Sequence, residues 1–539
     1  MAQFTDVADL AARAAADVPE RLALVEAGGR SLNWASLDDQ ISRVATGLGG
    51  LGVVGGYRVL LALGNRIEFV SGYLGVLRAH AVAVPVNPRS SPAELAWMIA
   101  DSGSRVVVAD AETVDAAREA IALVRAVLAG EQVPELEHVD AGLVERAHDP
   151  HLVVVDAGAG PGETAWSRLV AAEPVAFPPR PDPERLAALL YTTTPVGRPQ
   201  AAMLTHRALL ANVAQVARVQ PSMMNGDDVV LAVLPLFHVY GLNAVLGSAL
   251  WHRAKVVLVE RFHPEVTLDV IDDEAVSVLP VAPPVFTHWL GHPELLERLG
   301  PVRLVLSGSE TLDPGVAARF TDETGLVIHQ GYGLTEAAPV VTTTLHSVDP
   351  RPGSFGLPLS GVEVQVVDDL TGQAEGEDPG HLRIRGENLF SGYWPYGAGG
   401  PDADGWWETG DVGWFDEHGD LHLVDRVRDV VVVSGFTVYP SEVEDVVGDV
   451  EGVAEAVVVG ADDPDTGQQV VAYVVLAEGA DPVRVREGVR SAAERGLARF
   501  KRPTRVELVE AIPATTTGRG GARGRLRGLE RRRALGLVE

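Results

Sequence analysis

From Tyr191 to His206 the chain reads Tyr-Thr-Thr-Thr-Pro-Val-Gly-Arg-Pro-Gln-Ala-Ala-Met-Leu-Thr-His. A strand, Leu186–Tyr191, runs into a hydroxyl-rich loop, and a helix is expected from about Thr205, a good N-cap. Hydroxyls and backbone N–H groups in such a loop can hold phosphate oxygens; a Thr-rich turn with no such role has the same letters. Downstream, Gly331-Tyr332-Gly333-Leu334-Thr335-Glu336 sets an aromatic between two glycines, followed by a carboxylate. Tyr332 could stack on a base, and Glu336 could hold Mg²⁺ through oxygen, the ligand Mg²⁺ prefers. The same residues also read as a glycine turn capped by Thr335, with Glu336 in a first helical turn. Thr409-Gly410-Asp411 puts a carboxylate at a strand-end turn, where it could accept two hydrogen bonds from a ribose diol or be an ordinary turn aspartate. Two later segments, Asp425-Arg426-Val427-Arg428-Asp429 with Val433–Glu444 and Phe500-Lys501-Arg502-Pro503 with Ile512–Arg519, combine charged turns with strand or helix starts.

These segments need a frame. Short apolar runs at Arg58–Leu63, Ala81–Val86, Arg105–Ala109, Leu152–Val155, Lys255–Val259 and Val302–Leu306 read as strands buried on both faces. Amphipathic stretches such as Ala93–Ala100 and Glu265–Asp272 lie between them, the pattern of an α/β protein with parallel sheets. Ser91-Pro92-Ala93-Glu94 is a capping box with proline at the first helical position, and Ser441–Glu444 is a second box in which Glu444 reaches back. Asp156–Thr164, Gly372–Gly380 and Tyr396–Gly405 are Gly-rich loops. After Arg426 the pattern restarts as a small α+β unit of about a hundred residues. The expected domains are therefore 1–425 and 426–539, with Gly518 onward partly ordered.

Composition excludes several classes. A 539-residue chain exceeds one ordinary core. The formal charge of −30 argues against nucleic-acid binding, which needs a basic footprint, while leaving room for a nucleotide ligand. With no cysteine there is no disulfide, thiolate metal site or thiol nucleophile. The N-terminus lacks a basic stretch followed by an apolar run, so no signal peptide is expected. Val229–Trp251 is long and apolar, but Pro235, His238, Gly241 and Asn243 interrupt it, giving a strand, a turn and a helix start in place of a membrane span. Only Lys255 and Lys501 are lysines; the other 42 of the 44 basic residues are arginines.

In this order and spacing, the segments resemble the adenylate-forming superfamily of acyl-CoA synthetases, peptide-synthetase adenylation domains and luciferases. The likeness covers nearly the whole chain. Gly52–Asp110 is similar to the family's first nucleotide-type subdomain, and Leu234–Gly241 to its Pro-Leu-Phe-His segment. Ser307-Gly308-Ser309-Glu310-Thr311-Leu312 is close to its Ser-Gly-Gly-Ala-Pro-Leu, and Phe355–Pro358 to its Gly-x-Pro.

The resemblance implies a large N-terminal domain of two α/β subdomains plus a β-barrel-like part, and a small mobile α+β C-terminal domain hinged near Arg428. It implies an enzyme that joins a carboxylic acid, such as a fatty acid, to coenzyme A through an acyl-adenylate, using ATP and Mg²⁺ in the cytoplasm. The nucleotide would be held by Thr192, Thr193, Thr194 and Gly197 of the phosphate loop. The backbone of Ser307–Glu310, with Gly308, Ser309 and Glu310, would lie beside adenine, Tyr332 would stack on it with Gly333 next to it in the nucleotide site, and Asp411 and Arg426 would hold the ribose. Thr335 would contact the α-phosphate, Glu336 the metal ion, and His238 would border the acyl pocket, walled by Val281–Pro284. Ser434, Gly435 and Phe436 would approach the pantetheine arm of coenzyme A or of a carrier protein.

Two places depart from the family pattern, both where anionic charge must be offset. In the phosphate loop Thr194 stands for a glycine, Pro195 and Val196 for two threonines, Gln200 for a lysine and Ala201 for a glycine. Proline stiffens the loop and removes a donor, and Gln200 removes a charge. Arg519 stands where the family has its catalytic lysine; it keeps the charge in a longer, forked group. These departures leave three chemistries open: an acid–thiol ligase with attenuated rate, a same-fold enzyme that passes an acyl-adenylate to a carrier protein or amine, and a non-catalytic homologue that binds nucleotide or acyl-CoA.

Overall fold

The computed structural model describes residues 4–136, 141–193, 199–309, 312–367, 380–426, 431–438 and 440–512, with 523, 526, 527, 529, 530 and 533 beyond them. The chain forms two compact units. One comprises Met1–Pro88, Leu95–Tyr191 and Ala201–Val424; the other comprises Asp425–Glu539 with the short segments Arg89–Glu94 and Thr192–Gln200.

The first unit holds two seven-stranded sheets. In one, Arg58–Ala62 pairs in parallel with Val82–Pro85 and Ser104–Ala109, and Ser104–Ala109 with His151–Val154. These strands are buried on both faces, and helices such as Ile67–Arg78 and Pro92–Ser102 connect them. The capping box before Pro92–Ser102 is made: Ser91 N–H donates to Glu94 Oε2 at 2.7 Å and Glu94 N–H to Ser91 Oγ at 3.3 Å. In the second sheet Ile328–Gln330, Leu304–Ser307, Val278–Val281, Val229–Ala232 and Lys255–Leu258 are successive parallel neighbours. The part expected to be barrel-like is, among the described residues, an antiparallel sheet of four strands, Val362–Val367, Gly380–Gly386, Trp406–Phe415 and Leu421–Arg426.

One local expectation needs correction. The segment before Thr205 is an added strand, Pro199–Thr205, beside Leu186–Thr193 at the sheet edge; Thr205 then caps helix His206–Val216, accepting from Ala208 N–H at 3.1 Å. The second capping box falls on Ser441, whose side chain lies outside the described residues; Glu444 Oε1 also accepts from Val458 N–H at 2.8 Å and from Arg523 Nε at 3.1 Å.

Val229–Trp251 resolves into strand Val229–Ala232, a turn and helical segments Tyr240–Gly247 and Ser248–His252. Among the described residues no helix is long and apolar enough to cross a membrane. The second unit is a five-stranded sheet in which Gly467–Leu476 pairs with Val453–Asp463, Val431–Val433 and, in parallel, Arg505–Val509. Helices Pro440–Gly448 and Pro482–Gly496 bury Val443, Val447, Val485, Val489 and Ala493 in a core with Val458 and Ala472.

Candidate active site

In the second parallel sheet, Val281 pairs with Ser307 and Ser307 with Gln330, so neighbouring strands end level. The loops beginning at Ala282, Gly308 and Gly331 therefore leave one edge of the sheet, as does the loop after Ala232. The carboxyl edge of parallel strands is where open α/β sheets bind ligands. The expected pocket wall, the adenine-side turn and the Gly-Tyr-Gly motif all start there.

The loop after Gln330 doubles back on itself. Val341 N–H donates to Tyr332 O at 2.9 Å and Leu334 N–H to Pro339 O at 3.1 Å. A Cβ on Gly333 would lie 2.5 Å from Pro339 O, so only glycine permits this approach. Three buried amides then fix the return strand. Asn243 Nδ2 donates to Ala338 O at 2.7 Å, Asn388 Nδ2 to Ala337 O at 2.7 Å and Asn212 Nδ2 to Val340 O at 2.7 Å, while Asn212 Oδ1 accepts from Val340 N–H at 3.1 Å. These side chains satisfy backbone groups that the irregular loop cannot pair internally. Thr335 begins a 3-10 turn, Thr335–Ala337, with Leu334 rather than Thr335 at the N-cap position.

This scaffold brings Tyr332 to Asp411. The phenol donates to Asp411 Oδ2 at 2.6 Å, and Tyr332 and Asp411 are 2% and 4% exposed. Thr409 Oγ1 receives Asp411 N–H at 3.0 Å and itself donates to Leu382 O, which fixes the turn carrying the carboxylate. Among the described residues, Asp411 Oδ1 is buried with no hydrogen-bond partner, and so is Ser307 Oγ at the neighbouring strand end. Buried polar atoms are nearly always paired, so an unpaired acceptor and an unpaired hydroxyl suit a hydroxyl-rich, nitrogen-rich ligand such as a nucleoside.

Glu336 is fully buried, and its Oε1 accepts from the Tyr393 phenol at 2.7 Å. Its backbone carbonyl accepts from Phe390 N–H at 2.8 Å, and the Phe390 and Tyr393 rings pack edge to face. The Tyr393 loop is anchored to strand Pro199–Thr205: Ser391 N–H donates to Met203 O at 2.9 Å and Trp394 N–H to Ala201 O at 2.8 Å. Among the described residues there is no cluster of three or more metal-binding side chains. One carboxylate fits Mg²⁺, which commonly uses one or two protein carboxylates and takes its other oxygens from substrate phosphates and water.

On the acyl side, Asn65 is buried behind the His238 loop. It donates to Ala232 O and Leu234 O, both at 2.9 Å, and accepts from Leu236 N–H at 2.8 Å. His238 is half-buried after this turn. A Cβ on Gly308 would lie 2.6 Å from the Tyr240 ring, so glycine is required for that aromatic to lie against the strand end. Burial pushes the Tyr240 phenol well above its ordinary range, which keeps it neutral.

In the second unit, Ser434 and Gly435 form the two-residue turn between Val431–Val433 and Phe436–Val438. Both have positive φ, 51° and 77°, the conformation that suits the twist of a hairpin. Phe436 packs on Phe500 with ring centres 4.8 Å apart. Thr192 and Thr193 lie at the end of strand Leu186–Thr193, and Arg426 ends strand Leu421–Arg426. Thr194, Gly197, Glu310, Arg428 and Arg519 lie outside the described residues. Both lysines are engaged elsewhere. Lys255 Nζ donates to Glu274 O and Oε2, both at 3.1 Å, and Lys501 Nζ meets Glu442 at 2.9 and 3.0 Å. Tyr393 and the three asparagines were not singled out as site residues from sequence, whereas Ser307 begins the segment expected beside adenine. Asn243 alone left a trace, as a polar residue inside an apolar stretch.

Loops gathered at the carboxyl edge of a parallel sheet, a tyrosine–aspartate pair and a buried glutamate suit a nucleotide-binding enzyme fold with a separate α+β unit. The model of the AMP-binding enzyme family matches residues 11–394, and that of the AMP-binding enzyme C-terminal domain matches residues 442–519. A long-chain-fatty-acid–CoA ligase of Bacillus subtilis is 30% identical over 94% of this chain and 91% of its own. A rice 4-coumarate–CoA ligase is 31% identical with the same two coverages. The solved amide bond synthetase of Marinactinospora thermotolerans has a TM-score of 0.79 at 28% identity, covering 96% of this chain and 99% of its own. The chain belongs to the AMP-binding, adenylate-forming enzyme superfamily.

Proposed function

We propose that the protein is a carboxylic acid–CoA ligase that works through an acyl-adenylate, with a hydrophobic, fatty-type acid as substrate and the cytoplasm as its setting. The observation that carries this reading is the Tyr332–Asp411 pair, with Asp411 Oδ1 left to accept from a ribose hydroxyl. The apolar turn Val281–Pro284 favours a hydrophobic acid.

In the first half-reaction a carboxylate oxygen attacks the α-phosphorus, and pyrophosphate leaves with the electron pair of the broken P–O bond. Two anions must approach, so fixed charge at the phosphates lowers the barrier. Glu336 would hold Mg²⁺, which when bound offsets phosphate charge and orients the triphosphate. Thr335 would donate to the α-phosphate. Tyr332 and Asp411 orient the adenosine, and His238 lies beside the acyl group. In the second half-reaction the thiol sulfur attacks the acyl carbonyl and AMP leaves, the thiol proton going to solvent. The Ser434–Gly435 turn would border the pantetheine arm, and rotation of domain 426–539 about Arg428 would bring it in.

Pyrophosphate release from ATP across a panel of acids, with and without coenzyme A, tests the reading. Release with a hydrophobic acid, and thioester formed only with coenzyme A, is expected. An acid panel that releases no pyrophosphate overturns it. A second reading is favoured by Gln200 and by the likeness to an amide bond synthetase: an amine, not a thiol, takes the acyl group. Product formed with amines but not with coenzyme A would select it.

A further inference from the structure

The second unit carries its own cavity. Between helix Pro482–Gly496 and the start of strand Arg505–Val509 lies a groove of about 470 Å³, floored by Val489 and Ala493 and rimmed by Arg486, Arg490, Arg502 and Arg505. Three of these guanidiniums have no carboxylate partner among the described residues. Arg486 donates to Val506 O; Arg502 donates to Leu497 O at 3.0 Å and Glu494 O at 3.1 Å. Arg490 is exposed, with no hydrogen bond or ion pair among the described residues. Arg505 differs, since Glu507 and Glu530 both pair with it. Among the described residues, Glu494 is the one acidic side chain on the rim.

The charge is concentrated there. Pro482–Val506 contains eight basic residues and two glutamates, six net positive charges in a chain whose formal charge is −30. Carbonyl partners fix the forks of Arg486 and Arg502 without neutralising them, so their charge remains to act on a ligand. The volume suits a small molecule and is too small for a folded partner. Planar forks around one concavity match phosphoryl oxygens better than single carboxylates. From these features the geometry points to a binding site for a small oligophosphate, either inorganic or carried by a nucleoside whose base would lie on the Val489–Ala493 floor.

Calorimetric titration of the full chain with inorganic tripolyphosphate, and with uridine triphosphate as the nucleoside form, tests this. Arg490→Glu reverses a charge on the rim, and Arg495→Glu makes the same change on that helix outside the cavity. Arg490→Glu is expected to lower tripolyphosphate affinity roughly tenfold or more, about one charge-assisted hydrogen bond, with unchanged thermal midpoint. Arg495→Glu should bind within about twofold of wild type, since a solvated charge off the rim is largely screened. Tighter binding of the nucleotide assigns the floor to a base; equal binding assigns the site to inorganic phosphates. No binding by wild type, equal losses in the two variants, or wild-type affinity in Arg490→Glu overturns the proposal. So does a hexaglutamate peptide that binds where tripolyphosphate does not, which would give the groove to a protein partner. Binding is read without turnover, so this inference and the ligase reading fail separately.

Discussion

The Tyr332 phenol and Asp411 Oδ2 are 2.6 Å apart in a site where both side chains are almost wholly buried. The bond uses one carboxylate oxygen and leaves the other for a ligand. It also fixes the plane of the carboxylate, because Thr409 holds the backbone of the same turn. A carboxylate preorganised in this way loses little freedom when a ribose arrives.

Tyr332→Phe keeps the ring and removes only the donor. A buried carboxylate oxygen then has no partner, a cost of about 1–3 kcal/mol. The carboxylate also loses the contact that fixes its plane, so it no longer meets the ribose preorganised. AMP affinity, measured by calorimetry, should fall by roughly tenfold, while the thermal midpoint of the ligand-free protein drops by a few degrees. A variant that binds AMP as well as wild type would show that the pair is structural only.

Tyr393 stands in the same relation to Glu336, 2.7 Å from Oε1. The phenol locks one rotamer of a fully buried carboxylate, so under the proposed function it would act on a bound Mg²⁺ through Glu336. Tyr393→Phe should raise the Mg²⁺ concentration needed for half-maximal pyrophosphate release several-fold, with saturating Mg²⁺ restoring most of the rate. A loss of rate that saturating Mg²⁺ does not repair would mean that the tyrosine serves packing against Phe390 instead.

How far the sequence foretold this arrangement depended on the range of the interactions. Strands such as Arg58–Ala62 and Lys255–Leu258 are legible because burial on both faces writes a continuous apolar run. The Ser91–Glu94 box is legible because both partners lie within one turn. Glu444 also holds Val458 N–H and Arg523, and neither partner is local, so no spacing announces those contacts. Strand Pro199–Thr205 was missed because Gln-Ala-Ala-Met-Leu shows no alternation; its pairing with Leu186–Thr193 decides it. Tyr332, Glu336 and Asp411 could be named from family-like motifs, whereas Tyr393 lies 57 residues from its carboxylate and Asn388 lies 51 from the carbonyl it holds. Partners so distant leave no spacing to read.

The charge lost at Gln200 makes a different prediction. Gln200 is half-buried in strand Pro199–Thr205, directly after the phosphate-loop segment, and neither lysine of the chain is free to replace the missing cation. If the outer phosphates are under-neutralised, restoring the charge should help. Gln200→Lys and Arg519→Lys should each raise pyrophosphate release several-fold, and together by more than either alone. An unchanged rate in the double variant would mean that this chain has rebuilt its phosphate site around other donors.

His206 gives a pH test remote from the chemistry. It is fully buried, and its Nδ1 accepts from Val7 N–H at 3.1 Å, so the ring is neutral with its proton on Nε2. Burial holds its pKa down at about 4, below the ordinary 6.5, despite Asp6 Oδ1 3.6 Å away. Between those two values the unfolded chain binds the proton and the folded chain does not. Stability must therefore fall as pH drops from about 6.5 towards 4 and level off below, by on the order of 3 kcal/mol for this group. His206→Gln can still accept from Val7 but does not titrate. Its thermal midpoint should lose clearly less than wild type between pH 7 and pH 4.5, although the variant starts lower at pH 7 because the amide fills less of the buried site. Equal losses in the two proteins would assign the acid sensitivity to groups other than the imidazole.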